Sequence, residues 1–316
     1  MIGAQPLFIG EEELRRLGLT PGEARDALSH AYRLQHAGHV RVQPKTSLDI
    51  APGHKFQAMC AACEELDLAV VKWLGVAPRG AGDPSPGIHA LAVLNDFNSG
   101  APLAVMDANA MTGLRTAAMS ALAARFLARE NSRTIGFVGC GLQARTHLEA
   151  MHDLFPGLAV VLCNSRSEQS ARRLADFAGT LGLKGKVCSD PARLLGESDI
   201  VVTTVPMSAG FEPFLDASDL APGAFVAAVD IGRSWHPDGF KVFDCMATDS
   251  RLHHGIEMKP GMRIDCDLSE LAGGVHPGRV SEAQRALFVF QGHATADLAI
   301  AWLVWSRLQA ATGRHI

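Results

Sequence analysis

Residues 134–144 read Thr-Ile-Gly-Phe-Val-Gly-Cys-Gly-Leu-Gln-Ala, a short apolar stretch that runs into a G-x-G-x-x-A pattern. In such a pattern the first glycine, Gly139, permits a tight turn. Gly141 lets a pyrophosphate approach the backbone, and Ala144 lets the next helix pack on the strand. The helix start then offers free N–H groups and a positive dipole end to phosphates. The stretch predicts a dinucleotide-binding strand–turn–helix unit, with an ordinary strand–helix turn as the alternative. Its predicted cofactor contacts are Gly139, Gly141, Leu142, Gln143 and Ala144.

On both sides of this turn, apolar strand-like segments alternate with helical ones. The candidate strands are 134–138, 159–163, 186–188, 200–205 and 225–229, and the candidate helices are 144–154, 167–181 and 191–195. This alternation is typical of a doubly wound parallel sheet. We therefore predict an α/β fold whose Rossmann domain covers residues 117–292.

The chain before this block has a different pattern. Candidate helices at 11–17 and 20–35 precede candidate strands at 46–50, 69–74, 90–96 and 102–107. Turn residues separate the strands, which favours antiparallel pairing. We predict an α+β domain from residues 1–116, and the candidate helix at 295–311, which lies beyond the Rossmann block, is a candidate to pack back on it. The pair Cys60 and Cys63 is interpreted as two small apolar positions in a helix.

Bulk composition excludes several classes of protein. The chain has 316 residues, 47% of them hydrophobic, 20% charged and 6% aromatic, with a net charge of −4. The hydrophobic fraction argues against disorder, and the charge balance argues against nucleic-acid binding. Seven scattered cysteines do not suggest a disulfide framework. Without a recognisable signal peptide or membrane span, the protein is predicted to be cytoplasmic. No metal site is predicted from the spacing of its histidines and cysteines.

The segment that follows the second strand indicates which nicotinamide cofactor is preferred. An NAD site usually has Asp or Glu at this point, to hold the ribose 2′-hydroxyl. Here the strand runs into Asn164, Ser165 and Arg166. A hydroxyl and a guanidinium suit a 2′-phosphate, because arginine binds phosphate through two parallel hydrogen bonds. NADP(H) is therefore predicted to be preferred, with NAD(H) possible. The alternative for Arg166 is a solvated residue at a helix start.

Two motifs together resemble the ornithine cyclodeaminase/mu-crystallin family. The first is Thr-Gly-Leu-Arg-Thr-Ala-Ala at 112–118, and the second is the glycine turn at 139–144. The likeness continues through nearly the whole chain, at 42–45, 71–73, 203–206, 229–230 and 291–292. The resemblance implies a homodimer in which a Rossmann domain is inserted into a substrate-binding and dimerisation domain made of residues 1–116 and 293–316. It also implies an active site in the cleft between these domains.

Site residues follow from the resemblance, position by position. Lys72 and Arg115 match the cations that grip a substrate carboxylate. Lys45 stands where the family commonly has arginine, which puts a bidentate contact there in doubt. Asp230 matches the active-site aspartate and is predicted to be catalytic together with Lys72, and His293 is predicted to contact substrate. The further cofactor contacts implied are Thr116, Thr204, Val205, Pro206 and Gly292.

Three functions remain open on the sequence. The favoured one is an NADPH-dependent reductase of a small imino acid, reversible as an amino-acid dehydrogenase. The second is a cyclodeaminase that releases ammonia from ornithine or lysine with bound NAD(P). It is disfavoured because Phe56 and Gln57 stand where a carboxylate for the distal amine is expected. The third is a non-catalytic NADP(H)-binding protein of the crystallin kind. The roles of Trp235 and His236, which depart from the family pattern, stay open.

Overall fold

The structure is a computed structural model that describes residues 5–77, 87–206, 211–251 and 260–312. Residues 83–86, which the sequence indicates as a surface loop, and the histidine pair at 253–254, whose spacing predicts no metal site, lie outside these residues. The chain divides into two compact units. The first comprises Met1–Arg115 and His293–Ile316, and the second comprises Thr116–Gly292.

The first unit is built on a mixed sheet. Its strands are β1 (Leu7–Ile9), β2 (Val40–Val42), β3 (Thr46–Ala51), β4 (His54–Cys63), β5 (Leu68–Val76), β6 (Ile88–Asp96) and β7 (Pro102–Asp107). The order across the sheet is β1-β7-β6-β5-β4-β2, with β3 also paired to β4. All pairs are antiparallel except β1 with β7. The prediction of a mostly antiparallel α+β unit is confirmed.

The strand β4 corrects one expectation. Cys60 and Cys63 were assigned to a helix, but they lie on this ten-residue strand. Burial along its end alternates, with Met59, Ala61 and Cys63 buried and the residues between them half-buried. That is the period of two that a strand requires, rather than the helical period of 3.6. Small residues such as alanine and cysteine have weak strand propensity, so pairing with β5 decides the conformation here.

The helices α1 (Glu11–Arg16), α2 (Pro21–His36) and α8 (Ala294–Thr312) belong to the first unit. The helix α2 starts with a capping box, in which Thr20 accepts from the Glu23 N–H and the Glu23 carboxylate accepts from the Thr20 N–H. The apolar helix α8 contacts α2, β4 and β5. Among the described helices, α8 included, none combines the length and apolar character needed to cross a bilayer.

The second unit is a doubly wound parallel sheet, as predicted. Its strands are β8 (Thr134–Val138), β9 (Val160–Asn164), β10 (Lys184–Val187), β11 (Ile200–Thr203), β12 (Phe225–Ala228), β13 (Cys245–Thr248), β14 (Cys266–Asp267) and β15 (Ala286–Val289). The order is β10-β9-β8-β11-β12-β15-β13-β14, and every pair is parallel. The helices are α4 (Leu142–Leu154), α5 (Glu168–Thr180), α6 (Pro191–Glu197) and α7 (Leu268–Ala272).

One helix carries the chain from the first unit into the second. This helix, α3, spans Ala108–Leu127, so the unit boundary after Arg115 falls within it. The hydrophobic core of the second unit includes Trp235, which is buried and packs edge-on against Phe243. Trp235 is therefore a core residue, whereas its neighbour His236 is exposed.

Candidate functional site

The glycine turn after β8 has the geometry that a dinucleotide needs. Gly139 has a φ of 89°, and a Cβ there would lie 2.9 Å from the carbonyl carbon of Thr204. Only glycine fits this position. At Gly141 the φ is −90°, and a Cβ would meet nothing within 4 Å. The space in front of the first turn of α4 is thus open to a group as large as a phosphate.

Hydrogen bonds hold this turn at the switch point of the sheet. The Gly139 N–H donates to the Asn164 carbonyl at 2.9 Å, and the Thr204 hydroxyl donates to the Gly139 carbonyl at 2.9 Å. Since β8 is flanked by β9 on one side and β11 on the other, these bonds tie together the carboxyl ends of three strands. Open α/β sheets bind ligands in the crevice at such a point.

The other predicted cofactor contacts in the second unit differ in how far they are exposed. Ala144 is buried against the sheet, and Leu142 is largely exposed. The side-chain oxygen of Gln143 is buried with no hydrogen-bond partner among the described residues. A ligand hydroxyl would satisfy it. Arg166 is exposed and Ser165 half-buried, whereas Thr116 is buried in α3. Val205 is half-buried and Pro206 exposed, directly after Thr204. The residues present fit a dinucleotide.

A buried serine–histidine pair supports the start of α4. His147 faces the Gln143 carbonyl through Nδ1 at 2.6 Å, so Nδ1 carries the proton. Its Nε2 lies 3.0 Å from the Ser120 hydroxyl, which donates to it. Burial lowers the pKa of His147 to about 4, so the ring is neutral at physiological pH. Both side chains are fully buried, and the pair fixes the helix rather than meeting a substrate.

Asp230 lies two residues beyond the end of β12 in a strained turn. Its carboxylate accepts from the Thr203 hydroxyl at 2.8 Å, from the Gly232 N–H at 3.1 Å and from the Ser234 hydroxyl. Burial raises the pKa of Asp230 above its ordinary range, and these hydrogen bonds oppose the rise. Next to it, the β-branched Ile231 has a φ of 61°. Such strain tends to persist at functional sites.

Gly292 is fixed by an aspartate that the sequence analysis missed. Asp249, which follows β13, is buried and accepts the backbone N–H groups of Gln291 and Gly292. Gly292 has a φ of 83°, which suits glycine. No local motif marks an aspartate that binds a segment some forty residues away.

In the first unit, two of the predicted carboxylate-binding cations share one acid. Lys72 lies in the middle of β5 and is only 1% exposed, and its Nζ donates to Asp297 Oδ1 at 2.6 Å. Arg115 lies in α3, with Nε 3.4 Å from the same oxygen. Asp297 is in the first turn of α8. Its other carboxylate oxygen is buried without a hydrogen-bond partner among the described residues.

Lys45 adds a third positive charge to this group. It is half-buried and immediately precedes β3. Burial lowers the pKa of Lys72 from 10.5 to about 8, and the charges of Arg115 and Lys45 contribute while Asp297 opposes the shift. Cations gathered in a desolvated place are suited to binding an anion.

His293 lies just before α8, the helix that carries Asp297. It is 2% exposed, and its ring stacks on Tyr32 with 6.4 Å between ring centroids. Contact with substrate stays a prediction for it. Asp297, by contrast, was missed as a site residue. Its signal was present in the sequence, because it is the one acid in a helix that is otherwise almost entirely apolar. Such an acid requires a buried partner.

Known proteins share this architecture along the whole chain. The model of the ornithine cyclodeaminase/mu-crystallin family matches residues 12–312. Alanine dehydrogenase of Archaeoglobus fulgidus is 29% identical over 95% of this chain and 94% of its own. Ketimine reductase mu-crystallin of Rattus norvegicus is 30% identical over 70% of each chain. An archaeal alanine dehydrogenase dimer with bound NAD superimposes with a TM-score of 0.87 at 27% identity, over 97% of both chains.

These findings confirm the resemblance carried by the motifs at 112–118 and 139–144. The match covers both compact units, and the named relatives are a dehydrogenase and a reductase. The chain therefore belongs to the ornithine cyclodeaminase/mu-crystallin family.

Proposed function

We propose that the protein is an NAD(P)H-dependent reductase of a small imino acid, reversible as an amino-acid dehydrogenase. The observation that carries this proposal is the buried contact of two cations with Asp297. Lys72 and Arg115 both reach one carboxylate oxygen of Asp297, and Lys45 is close enough for its charge to lower the pKa of Lys72. Clustered cations of this kind are suited to binding a substrate carboxylate.

The chain's own residues would bind the substrate, orient it and exchange protons with it. Arg115 and Lys45 would hold the substrate carboxylate, which fixes the neighbouring imine carbon. Lys72, with a pKa of about 8, is able to bind the carboxylate or to give a proton to the substrate nitrogen at neutral pH. A nicotinamide held at the glycine turn would supply the hydride. Asp230, with its raised pKa, is the second candidate for the proton.

Within this proposal, NADP(H) is the preferred cofactor and NAD(H) the possible one. Support comes from the segment after β9, where the exposed Arg166 and half-buried Ser165 replace the acid that would hold a ribose 2′-hydroxyl. The archaeal alanine dehydrogenase neighbour holds NAD, so the preference differs between relatives on this hypothesis.

A homodimer is part of the same proposal. One face of the first unit's sheet, the face opposite to the side chain of Lys72, carries large apolar side chains that are exposed to solvent. Phe8, Leu48, Trp73 and Leu91 are 67, 57, 49 and 46% exposed. A second copy of the chain would cover them, since monomers rarely expose patches of this kind. The alanine dehydrogenase neighbour is itself a dimer.

A substrate panel tests the function directly. Purified protein is mixed with NADPH or NADH and either cyclic ketimine carboxylates or pyruvate plus ammonia, and absorbance at about 340 nm is followed. Oxidation of the cofactor is expected with at least one imine-forming substrate, and it should depend on Lys72 and Arg115. Ammonia release from ornithine without any net absorbance change would replace the proposal with a cyclodeaminase. Nucleotide binding without turnover on any substrate would favour the non-catalytic alternative.

A further inference from the structure

Two cysteines and a histidine lie together in the second unit, away from the glycine turn. Their ligand atoms, the sulfurs of Cys245 and Cys266 and a ring nitrogen of His276, are all within 4.8 Å of one another. Both cysteines are buried, and His276 is half-buried. From this geometry we propose that the three residues bind one Zn²⁺ ion.

Zinc chemistry fits this donor set. Zn²⁺ is bound in tetrahedral sites by thiolates at about 2.3 Å and by imidazole at about 2.0–2.1 Å, and Cys₂His with one position open to water is an arrangement known from catalytic zinc sites. Those bond lengths place tetrahedral ligand atoms about 3.5–3.8 Å apart. The ligand atoms therefore need to approach one another by at most about 1.0–1.3 Å. Among the described residues the group has three members, and water takes the fourth position.

The backbone that carries the two cysteines is already fixed. Asp265, the neighbour of Cys266, donates its N–H to the Met246 carbonyl at 2.8 Å and accepts the Met246 N–H through its side chain at 2.8 Å. Arg263 donates to the carbonyls of Phe243 and Asp244, just before Cys245. Binding an ion would therefore reorganise side chains only, which reduces its conformational cost.

His276 has one competing interaction. Its Nδ1 accepts the Gly278 N–H at 3.1 Å. A neutral imidazole has a single free lone pair, so coordination through either nitrogen would cost this hydrogen bond. Two zinc–thiolate bonds and one zinc–imidazole bond outweigh one hydrogen bond by a wide margin. On binding, the two thiol protons pass to solvent, and the ion balances the two thiolate charges.

The position of the group separates it from the glycine turn. Cys245 is the first residue of β13, and Cys266 lies beside Ala247 of the same strand. The glycine turn follows β8, and β11, β12 and β15 lie between β8 and β13 in the sheet. A zinc ion would join β13, β14 and the segment after α7. We expect it to stabilise the second unit without taking part in hydride transfer.

Cobalt substitution tests the site with a spectroscopic readout. The reduced full-length protein is treated with a chelator, then titrated with Co²⁺ and back-titrated with Zn²⁺. We expect one Co²⁺ per chain, with thiolate charge-transfer absorption and tetrahedral ligand-field bands that Zn²⁺ abolishes. Zn²⁺ should also protect two thiols from a thiol reagent and raise the Tm.

Variants make the test specific. Cys266→Ser should lose the charge-transfer band and the zinc-dependent rise in Tm. His276→Asn places an amide oxygen near Nδ1 to accept the Gly278 N–H, and it should weaken Co²⁺ binding at least tenfold. Cys188 is a half-buried cysteine outside the group, and Cys188→Ser should bind Co²⁺ as the parent does. If Cys266→Ser fails to fold, thiol protection in the parent and His276→Asn decide the question. The proposal would be overturned if Co²⁺ left the absorption spectrum of the parent protein unchanged. It would also be overturned if Cys245 and Cys266 formed a disulfide in place of binding metal.

Discussion

Lys72 and Asp297 are 225 residues apart in sequence, and their side chains form a buried hydrogen-bonded ion pair with 2.6 Å between Nζ and Oδ1. The lysine comes from the middle of β5 and the aspartate from the first turn of α8. On the lysine's face of the sheet, its direct cross-strand neighbours are the apolar Met59 and Ala92. A charge in such surroundings is stable only with a partner. The pair therefore fixes the lysine where the proposed function needs it.

Replacing Lys72 with methionine should disable substrate binding. Loss of a buried hydrogen-bonded charge costs about 2–5 kcal/mol, so kcat/KM for the imino acid should fall by about 30-fold to more than 1000-fold. Nucleotide affinity, measured by fluorescence titration of NADPH, should stay within about threefold. Lys55→Met, on the neighbouring strand β4, is the matched control and should keep its kcat/KM. An unchanged kcat/KM in Lys72→Met would contradict the assigned role.

The pKa of Lys72 predicts how anion binding depends on pH. Below about pH 8 the ammonium is charged, and as pH rises through 8 its charge is lost. Inhibition by pyruvate, a simple carboxylate, should therefore be constant near neutrality and weaken above about pH 8.

The lowered pKa of Lys72 also makes the free energy of unfolding depend on pH. Because the folded pKa lies below the unfolded value of 10.5, burying the charged lysine costs stability below pH 8, and this cost shrinks as pH rises toward 10.5.

The Lys72→Met variant also provides the control for this pH profile. Its inhibition constant should lack the change near pH 8 while Arg115 and Lys45 retain some affinity. A profile identical to that of the parent would assign the titration to another group.

The sequence predicted those parts of the site that local backbone chemistry determines. The turn at Gly139 and Gly141 was recognisable because the tight turn and the approach of a phosphate place both glycines in one short sequence pattern. Asp249 was not, because it accepts from a segment far away in sequence. Asp297 was visible only as a lone acid in a largely apolar helix, and its partner Lys72 lies on a distant strand. The strand β4 was missed for a related reason. Its alanines and cysteines have no strong preference, and pairing with β3 and β5 decides their conformation.

Gly141→Ala should separate folding from nucleotide binding. A Cβ at Gly141 meets no atom within 4 Å and the φ is −90°, so the Tm should stay within about 2 °C of the parent. The added methyl would stand where a pyrophosphate approaches, so NADPH affinity should fall at least about tenfold. Gly139→Ala should instead destabilise the protein, since its φ is 89° and its Cβ would strike Thr204. Gly179→Ala, in α5, is the control and should retain both the Tm and the NADPH affinity of the parent.

Arg166→Ala should reduce the preference for NADP(H). Hydrogen bonds to a charged group contribute about 1.5–3 kcal/mol, so kcat/KM with NADPH should fall by about 10–150-fold. The value with NADH should change by less than about threefold, since NADH lacks the 2′-phosphate. Arg173→Ala, an exposed cation in α5, controls for a general change in surface charge. An equal fall in kcat/KM with NADPH and with NADH would show that Arg166 does not bind the 2′-phosphate.

Trp73→Glu tests the apolar face of the first unit's sheet as a dimer interface. Trp73 is 49% exposed and stacks on Phe56 with 5.8 Å between ring centroids, next to the exposed Leu91 on β6. A carboxylate there would be buried without a partner in a dimer, which costs several kcal/mol. Light scattering after gel filtration should show a dimer for the parent and a monomer for Trp73→Glu. Val187→Glu changes an equally open apolar residue on β10 in the second unit, and it should remain a dimer. A dimeric Trp73→Glu would mean that the interface lies elsewhere.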